Sequence, residues 1–340
     1  MRAASRDGHA VTVTGDEGLE GRIGLVLGAG GLVGHAWHAG VLAGLAEGLG
    51  WDPRTADVVV GTSAGSVVAA ILRAGLAADD VFARATGAEV SAEGARLVTR
   101  AFGGTGPVAP PAFTRPSRFS PAAPGTVLRA LNPLNPRLGL LTGALPRGTT
   151  DTSMISDGIG RLHADGWPDQ PLWVCAVRLR DGRRVVFGRD RTDAPVGTAV
   201  AASCAIPGFY APVAIDGIDH VDGGVHSPTN GDVLVDAGLR LVVISSPMSM
   251  DRTATRGFRP DRALRLSHRA TLTLEVTALR RAGTTVVSLQ PGPADITAMG
   301  PPGTAMDPDR RAPVARQARE TTLRRLADPT VSEALAPLSA

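Results

Sequence analysis

The chain has 340 residues, of which 43% are hydrophobic, 20% are charged and only 4% are aromatic. This composition excludes an intrinsically disordered polymer, a collagen-like repeat and a small disulfide-stapled domain. The formal net charge is +3, and the chain contains arginine but no lysine. Because the arginines are spread along the whole chain and aromatic residues are scarce, we expect no nucleic-acid partner.

The sequence predicts a polar, loosely ordered leader over residues 1–21, one main domain over 22–330 and a short tail over 331–340. The leader lacks the continuous apolar stretch of a secretory signal, and no run reaches the roughly 18 apolar residues that span a bilayer. Cys175 and Cys204 lie in apolar runs and are interpreted as small buried hydrophobic residues in a reducing compartment. We therefore expect a cytoplasmic protein that at most lies peripherally on a membrane.

The sequence of the first part of the main domain predicts two strand–turn–helix units. The apolar run Ile23–Leu27 leads into a glycine-rich loop at 28–34, which is followed by apolar residues at helical spacing. Residues 58–60 form a second buried strand, and residues 66–72 have a helical composition. Two such units in succession favour an α/β fold in which crossover helices join parallel strands.

Residues 103–147 form an insertion that is rich in proline and glycine. Each proline removes a backbone donor and fixes φ, so this segment is neither the interior of a sheet nor a long helix. We expect a lid or an irregular surface loop over the body of the domain.

The second half of the chain continues with further strands and helices. Residues 172–177 and 184–187 flank Asp181-Gly182, a dipeptide that is typical of hairpin turns. The other expected elements are a helix at 196–205, a short β segment at 213–215, strands at 241–245 and 286–289, and helices at 261–281 and 310–327.

Residues 61–65 read GTSAG and lie where a buried strand meets a helix. In a nucleophile elbow the serine occupies a strained turn, so the residues two positions away on either side must be very small. Gly61 and Gly65 meet this requirement around Ser63. The helix that follows directs its N-terminal N–H groups at the serine oxygen and at any oxyanion formed there.

The loop at 28–34 reads GAGGLVG and permits two interpretations. A dinucleotide fingerprint needs glycine where Val33 stands, and the acidic residue expected after the next strand has no clear candidate. In the second interpretation, the consecutive N–H groups of Gly30, Gly31 and Leu32 converge as an oxyanion hole, where a Cβ would block the approach. Both turns lie at the same edge of a parallel sheet, so they can face one another.

A serine nucleophile needs a base, and the chain offers two kinds. The order of residues in an α/β-hydrolase triad leaves His226 or His268 for this role. The other candidate is Asp222, because a carboxylate on the tight turn Asp222-Gly223-Gly224 could accept the proton of Ser63 directly. Asp-Gly turns are frequent and solvated, so the turn alone does not decide between them.

Taken together, these motifs resemble those of the patatin-like phospholipases, and they follow the family's order. The matching blocks are the loop at 28–34 with GVL at 40–42, GTSAGS at 61–66, the stretch 202–212, DGG at 222–224 and PTN at 228–230. The resemblance covers roughly residues 23–88 and 172–291. One departure is Val33, which stands where the family's loop commonly carries Arg or Lys.

The resemblance implies a three-layer α/β/α fold with a mostly parallel central sheet and a lipid acyl hydrolase activity. Ser63 would be the nucleophile and Asp222 the only base of a Ser-Asp dyad, without a catalytic histidine, a metal or a cofactor. The implied oxyanion hole consists of the backbone N–H groups of Gly30, Gly31, Leu32 and Ala64. Gly61 and Gly65 would support the elbow, and Gly223 and Gly224 the acid turn.

The expected substrates are phospholipids, lysophospholipids or simpler carboxylic esters. Phe113, Phe119 and residues 138–141 of the insertion would either contact a lipid surface around the site or form a small core under the loop. The alternatives are an α/β-hydrolase-type esterase with a Ser-Asp-His triad, a catalytically inactive lipid-binding protein of the same fold and, last, a nucleotide-binding dehydrogenase. The sequence leaves the oligomeric state open.

Overall fold

The computed structural model describes residues 22–104, 145, 147–255, 261–301 and 303–338. Most of the predicted insertion, including Phe113, Phe119 and residues 138–141, and the whole of the predicted leader lie outside these residues. The strands are β1 (Ile23–Leu27), β2 (Val58–Thr62), β3 (Leu172–Arg178), β4 (Arg184–Phe187), β5 (Val213–Ile215), β6 (Ile218–Asp222), β7 (Leu241–Ser245) and β8 (Thr285–Leu289).

The helices on the described residues surround this sheet. They are α1 (Gly31–Leu49), α2 (Ala64–Arg73), α3 (Ala78–Thr86), α4 (Ala92–Phe102), α5 (Ser153–Leu162), α6 (Val196–Ser203), α7 (Arg262–Arg281), α8 (Pro293–Met299), α9 (Arg311–Leu326) and α10 (Pro329–Leu335). Within the described ranges, no helix is both long enough and apolar enough to cross a bilayer.

All eight of these strands belong to one sheet, with the order β5-β6-β3-β2-β1-β7-β8 and with β4 paired to β3. The central pairs β3–β2, β2–β1, β1–β7 and β7–β8 are parallel. The pairs β3–β4, β3–β6 and β5–β6 are antiparallel. The predicted mostly parallel sheet is therefore confirmed, and its antiparallel part lies at one side.

The sheet separates two hydrophobic cores, because successive side chains of a strand point to opposite faces. Leu25 and Leu27 of β1 belong to the larger core, which contains residues of α1, α2 and α9. Val26 points to the second core, where Leu272 and Leu279 of α7 cover the sheet. The predicted arrangement of helix, sheet and helix layers is thus confirmed.

Glycines allow α1 to approach α9 closely. A Cβ on Gly40 would lie 2.2 Å from the carbonyl oxygen of Ala315, and one on Gly44 would lie 2.8 Å from the Cβ of Thr322. Such distances are shorter than van der Waals contact, so these positions of α1 accept no side chain without movement of α9. The helix that follows the glycine-rich loop is thereby held firmly against the body of the domain.

Four predicted strands have the bounds seen in the structure, namely Ile23–Leu27, Arg184–Phe187, Val213–Ile215 and Leu241–Ser245. Cys175 and Cys204 are buried, as expected. The segment 331–340 was expected to be a tail, but residues up to Leu338 are helical, and Leu335 and Leu338 pack into the larger core. The expected tail is therefore part of the domain as far as residue 338.

Exchanging Gly40 for alanine should lower the free energy of unfolding by about 1–3 kcal/mol, because the new methyl group would overpack the contact with α9. The matched control is Gly160→Ala in α5, where a Cβ would meet no atom within 4 Å. There the higher helix propensity of alanine should leave stability unchanged or raise it by up to about 1 kcal/mol. Urea denaturation of both variants measures the difference, and equal effects would contradict the close packing at Gly40.

Candidate active site

Two strands end against neighbouring residues of β3. The last residue of β2, Thr62, is paired with Cys175, and β2 runs parallel to β3. The last residue of β6, Asp222, is paired with Ala176, and β6 runs antiparallel to β3. Strand β4 pairs with both Cys175 and Ala176 along one edge of β3. Strands β2 and β6 therefore pair along the opposite edge, one after the other, with their carboxyl ends facing each other. This register brings Ser63, which follows β2, next to Asp222.

Ser63 occupies the strained turn that the GTSAG pattern predicts. Its φ of 53° and ψ of −122° lie outside the regions that L-residues ordinarily adopt, and α2 begins at the next residue. A Cβ on Gly61 would lie 2.4 Å from the Cα of Ser66, and one on Gly65 would lie 2.0 Å from the carbonyl oxygen of Leu27. Both glycines are therefore required by close backbone approach, as predicted for a nucleophile elbow.

Asp222 is buried and faces the serine. Its Oδ1 accepts a hydrogen bond of 2.7 Å from the N–H of Gly224, and the side chain of Ser63 lies beside its carboxyl. Burial raises the pKa of Asp222 to about 6, while the Ser63 side chain and the Gly224 N–H limit the rise. The turn also depends on Gly223, because a Cβ there would lie 2.2 Å from the carbonyl oxygen of Cys175.

Among the described residues, three consecutive N–H groups of the glycine-rich loop have no acceptor. The neighbouring N–H groups donate to backbone carbonyls, Gly28 to Ser245, Ala29 to Pro228, Val33 to Ala305 and Gly34 to Gly30. Those of Gly30, Gly31 and Leu32 have no acceptor among the residues that the structure describes. They lie at the N-terminus of α1, where the helix dipole favours negative charge.

This loop lies against both of the other turns. Gly65 packs on the carbonyl of Leu27, at the start of the loop, and a Cβ on Gly224 would lie 3.3 Å from the Cβ of Ala29. Ala64 opens α2 beside Ser63, and its N–H also has no acceptor in the described part of the chain. The structure therefore gathers every residue that the sequence proposed for the oxyanion hole, the elbow and the acid turn at one edge of the sheet.

Ser203, which ends α6, joins the elbow to β3. Its hydroxyl donates a hydrogen bond of 2.6 Å to the carbonyl of Cys175 and accepts one of 2.9 Å from the N–H of Ser63. The hydroxyl thus holds the backbone of the strained residue at a fixed distance from the strand. The sequence analysis included Ser203 in a family-like stretch but gave it no role, because only the folded arrangement shows what its hydroxyl contacts.

Asn230 connects the elbow with the acid turn. Its Nδ2 lies 3.1 Å from the hydroxyl of Thr62, 3.3 Å from the carbonyl of Gly223 and 2.6 Å from the carbonyl of Ser227. One amide therefore contacts both the residue before Ser63 and the residue after Asp222. Asn230 has a left-handed backbone with φ of 54°, a conformation that asparagine tolerates better than most residues.

A buried carboxylate on α7 holds the loop that carries Asn230. Glu275 accepts hydrogen bonds of 2.5 Å from the hydroxyls of Ser227 and Thr229 and one of 3.0 Å from the N–H of Gly231. Burial, together with the charge of Asp232, raises the pKa of Glu275 above its usual range. Sequence reasoning missed Glu275, since a single acidic residue in a long helix resembles an ordinary solvated position.

Histidine is not part of the contact between Ser63 and Asp222. No imidazole of the described residues hydrogen-bonds to either side chain. His268 lies on α7 with its Nδ1 3.3 Å from the carbonyl of Met248, and His226 ends the helical turn after Asp222. In the described ranges, no group of three or more His, Cys, Asp or Glu side chains is arranged to hold a metal ion.

This arrangement can perform a defined piece of chemistry. A hydroxyl on a strained turn touches a desolvated carboxylate that can take up a proton near neutral pH. Unpaired N–H groups at two adjacent helix N-termini can stabilise negative charge. These are the elements that acyl transfer to a serine requires.

Comparison with known sequences agrees with these observations. The family model described as patatin-like phospholipase matches residues 25–235. An uncharacterized NTE family protein of Mycobacterium bovis is 30% identical over 209 residues, which are 61% of this chain and 44% of that protein. An uncharacterized NTE family protein of Mycobacterium tuberculosis gives the same values. The chain therefore spans less than half the length of these curated relatives.

Solved structures give more distant matches. VipD from Legionella pneumophila is 13% identical with a TM-score of 0.41, and the match covers 90% of this chain and 66% of that chain. The type III effector protein ExoU is 16% identical with a TM-score of 0.36, and the match covers 92% and 53% of the two chains. Since the family model matches more than half of the 340 residues, the chain belongs to the patatin-like phospholipase family.

Proposed function

We propose that this protein is a serine acyl hydrolase that cleaves carboxylic esters of lipids through Ser63 and Asp222. The observation that carries the proposal is the register that places the Ser63 side chain beside the buried carboxyl of Asp222, whose pKa is raised to about 6 by burial. A carboxylate with such a pKa is ionised at neutral pH and yet basic enough to take the proton of an attacking hydroxyl.

In the first half of the proposed reaction, the Oγ of Ser63 attacks the ester carbonyl carbon while its proton passes to Asp222. The carbonyl oxygen becomes an oxyanion, which the N–H groups of Gly30, Gly31, Leu32 and Ala64 are placed to receive. When the tetrahedral intermediate collapses, the bond to the alcohol oxygen breaks and Asp222 returns the proton to that oxygen. The alcohol leaves, and the acyl group stays on Ser63 as an ester.

In the second half, a water molecule attacks the carbonyl carbon of the acyl-enzyme and gives its proton to Asp222. The second tetrahedral intermediate collapses, the bond between the acyl carbon and the Oγ of Ser63 breaks, and the proton returns to this oxygen. The products are a carboxylic acid and the free serine. One carboxylate can serve both halves because its pKa lies close to the working pH.

The proposed substrates are phospholipids, lysophospholipids or related lipid esters. Membership of a phospholipase family supports this class. The hydroxyl, carboxylate and N–H groups of the site are also those needed to transfer an acyl group from an ester to a serine. Two alternatives are tested by the experiments below: an esterase that uses a Ser-Asp-His triad, and a lipid-binding protein of the same fold without activity.

Replacing Ser63 by alanine should abolish hydrolysis of p-nitrophenyl esters and lysophospholipids and prevent labelling by a fluorophosphonate probe, since no nucleophile remains. Asp222→Asn should lower kcat/KM by about 10²- to 10⁴-fold, the usual contribution of a general base. The matched control is Asp219→Asn. Asp219 lies on the same strand as Asp222, and its partly exposed carboxylate forms an ion pair with Arg147.

The control variant should retain nearly full activity. His226→Ala and His268→Ala should also retain activity, and a loss of several hundredfold in either would favour the triad instead of the dyad. Wild-type protein that neither hydrolyses any ester of the panel nor reacts with the probe would leave the inactive lipid-binding protein as the correct interpretation.

The pH dependence of kcat/KM should reflect the ionisation of Asp222. Only the carboxylate form is a base, so kcat/KM should rise tenfold per pH unit at low pH and level off above a midpoint near pH 6. Initial rates between pH 4 and 9 measure this profile, and Asp219→Asn should leave the midpoint unchanged. A midpoint near the ordinary aspartate value would show that burial does not tune this carboxyl.

Asn230→Ala should lower kcat by as much as about 100-fold with little change in KM, because the elbow and the acid turn lose their shared contact. Thr62→Val, which removes the hydroxyl that Asn230 contacts, should act in the same direction. Thr62→Ser retains the hydroxyl and is the matched control. Steady-state kinetics on one ester should show that the effects of Asn230→Ala and Thr62→Val are not additive, and strictly additive losses would argue against the shared contact.

A further inference from the structure

Two arginines meet beside α1, close to the glycine-rich loop. Arg84 comes from α3 and Arg311 from the start of α9, and both side chains are half-buried. Nη2 of Arg311 donates a hydrogen bond of 3.2 Å to the backbone carbonyl of Arg84. The guanidinium of Arg84 lies over the ring of Phe102, 4.9 Å from its centroid, and this stacking holds it in place.

The positive charge of this arginine pair has no counterion in the described part of the chain. No carboxylate there lies within 4 Å of either guanidinium, and no acceptor takes an N–H group of the Arg84 side chain. The Nε of Arg311 is buried and also lacks an acceptor among the described residues. Burial, together with the neighbouring charge of Arg311, lowers the pKa of Arg84 to about 10.

Two other half-buried arginines are paired with carboxylates, and a third, Arg73, donates to three backbone carbonyls instead. Arg184 contacts Asp232 at 2.5 Å, and Arg265 contacts Asp261 at 2.5 Å. Removing a guanidinium from water without a partner costs free energy, and structural arginines usually recover that cost through a carboxylate. In the described part of the chain the Arg84 guanidinium has neither a carboxylate nor a backbone carbonyl as acceptor, unlike these three arginines. An external anion would supply the missing partner.

The ring of His35 is near enough to both guanidinium groups for their charges to act on it, and it does not add to those charges. Burial, followed by the charges of Arg311 and Arg84, lowers the pKa of His35 to about 3. The imidazole is thus neutral at every pH at which the protein would work. The cluster of Arg84, Arg311 and His35 carries two positive charges and a neutral group that can donate or accept one hydrogen bond.

The position of His35 links this cluster to the oxyanion loop. His35 lies four residues after Gly31 on α1, so the two residues share one face of the helix and are about 6 Å apart along its axis. The chain that leads into Arg311 passes the same face, because a Cβ on Gly31 would lie 2.7 Å from the carbonyl oxygen of Ala305. An anion on the cluster would therefore lie one helical turn from the N–H groups that receive the carbonyl oxygen.

We propose that Arg84 and Arg311, with His35, bind the phosphate group of the lipid substrate. A guanidinium matches phosphate with two parallel hydrogen bonds, and two guanidinium groups can share one phosphate. The assignment to a substrate headgroup rests on the proposed hydrolase function, whereas phosphate binding by the cluster does not. The substrate class is accordingly a phosphate-bearing ester such as a lysophospholipid, in preference to a phosphate-free acylglycerol.

A purely structural role is the competing explanation. Arg311 donates to the carbonyl of Arg84 at the C-terminus of α3, where a positive charge stabilises the helix. Arg316 of α9 makes a similar contact, with its Nη2 3.4 Å from the carbonyl of Thr86. Because the side chain of Arg316 is exposed, Arg316→Gln is a matched control that loses a charge at the same helix end but leaves the cluster intact.

The first experiment measures binding without catalysis. Inorganic phosphate is titrated by calorimetry into the Ser63→Ala protein in a buffer free of other multivalent anions. We expect saturable binding that sodium chloride at equal ionic strength does not reproduce, and at least about tenfold weaker binding when Arg84→Gln is added. Arg316→Gln should leave the affinity unchanged. Absence of phosphate binding, or equal binding after Arg84→Gln, would overturn the site.

The second experiment distinguishes a lipid headgroup from free phosphate. The kcat/KM for a lysophospholipid is divided by that for a monoacylglycerol with the same acyl chain. Arg84→Gln and Arg311→Gln should each lower this ratio about tenfold or more, through a higher KM for the lysophospholipid, and Arg316→Gln should leave the ratio unchanged. An unchanged ratio despite phosphate binding would mean that the cluster takes free phosphate, and it would overturn the headgroup assignment.

Thermal unfolding of each variant separates a capping role from a binding role. If Arg311→Gln and Arg316→Gln lower the melting temperature equally, the two variants have lost the same capping contribution. Any difference between their ratios of kcat/KM for lysophospholipid and monoacylglycerol then comes from the arginine cluster. If the wild-type protein hydrolyses no ester at all, the hydrolase proposal fails, while the phosphate titration decides the binding site independently.

Discussion

The meeting of two strand ends on one edge of β3 is the constraint on which the site depends. Thr62 and Asp222 are paired with adjacent residues of β3, which a strand spaces about 3.3 Å apart. Two side chains that are far apart in the sequence, those of Ser63 and Asp222, are thereby brought next to each other by backbone register. The same approach forces glycine at 61, 65 and 223, where a Cβ would lie 2.0–2.4 Å from backbone atoms. A shift of either strand by one residue would separate the hydroxyl from the carboxylate and place side chains where no space exists.

Burial of Asp222 ties its basicity to the stability of the fold. Because the pKa of Asp222 rises from 3.8 to about 6 on folding, the folded protein binds its proton more tightly than the unfolded chain does. This contribution to stability is present at low pH and is lost as the pH rises from about 4 through 6, at a cost of about 3 kcal/mol at neutral pH. The pKa of Glu275 is shifted in the same direction by burial. The two hydrophobic cores must offset these costs, so the region that supplies the proposed base is also a region that weakens the fold.

Local patterns in the sequence were sufficient for most strands, and they also predicted residues that the structure places at three neighbouring turns. Apolar runs such as Ile23–Leu27 predict buried parallel strands, and the glycines on either side of Ser63 indicate a turn in which backbone segments approach closely. The strand Ile218–Asp222 was missed because its polar residues, Asp219 and His220, interrupt the apolar pattern. The roles of Ser203 and Glu275 could not be predicted, since they arise from hydrogen bonds to residues on other elements. The helix at 329–335 was missed because it is short and only Leu335 is buried in it.

The charged and polar groups around the proposed reaction centre come from different strands and helices. The carboxyl of Asp222 lies at the end of β6, the unpaired N–H groups begin α1, and the guanidinium groups come from α3 and α9. An anionic substrate would be repelled by a carboxylate in direct contact with its phosphate, and the repulsion would be large in a desolvated site. If the phosphate binds to the arginine pair as proposed, one helical turn down α1, the ester carbonyl would lie between the phosphate and Asp222. The N–H groups of the glycine-rich loop then face the only part of the substrate on which negative charge develops during the reaction. On the proposed function, such a division would let one site hold a charged lipid and use a carboxylate as its base.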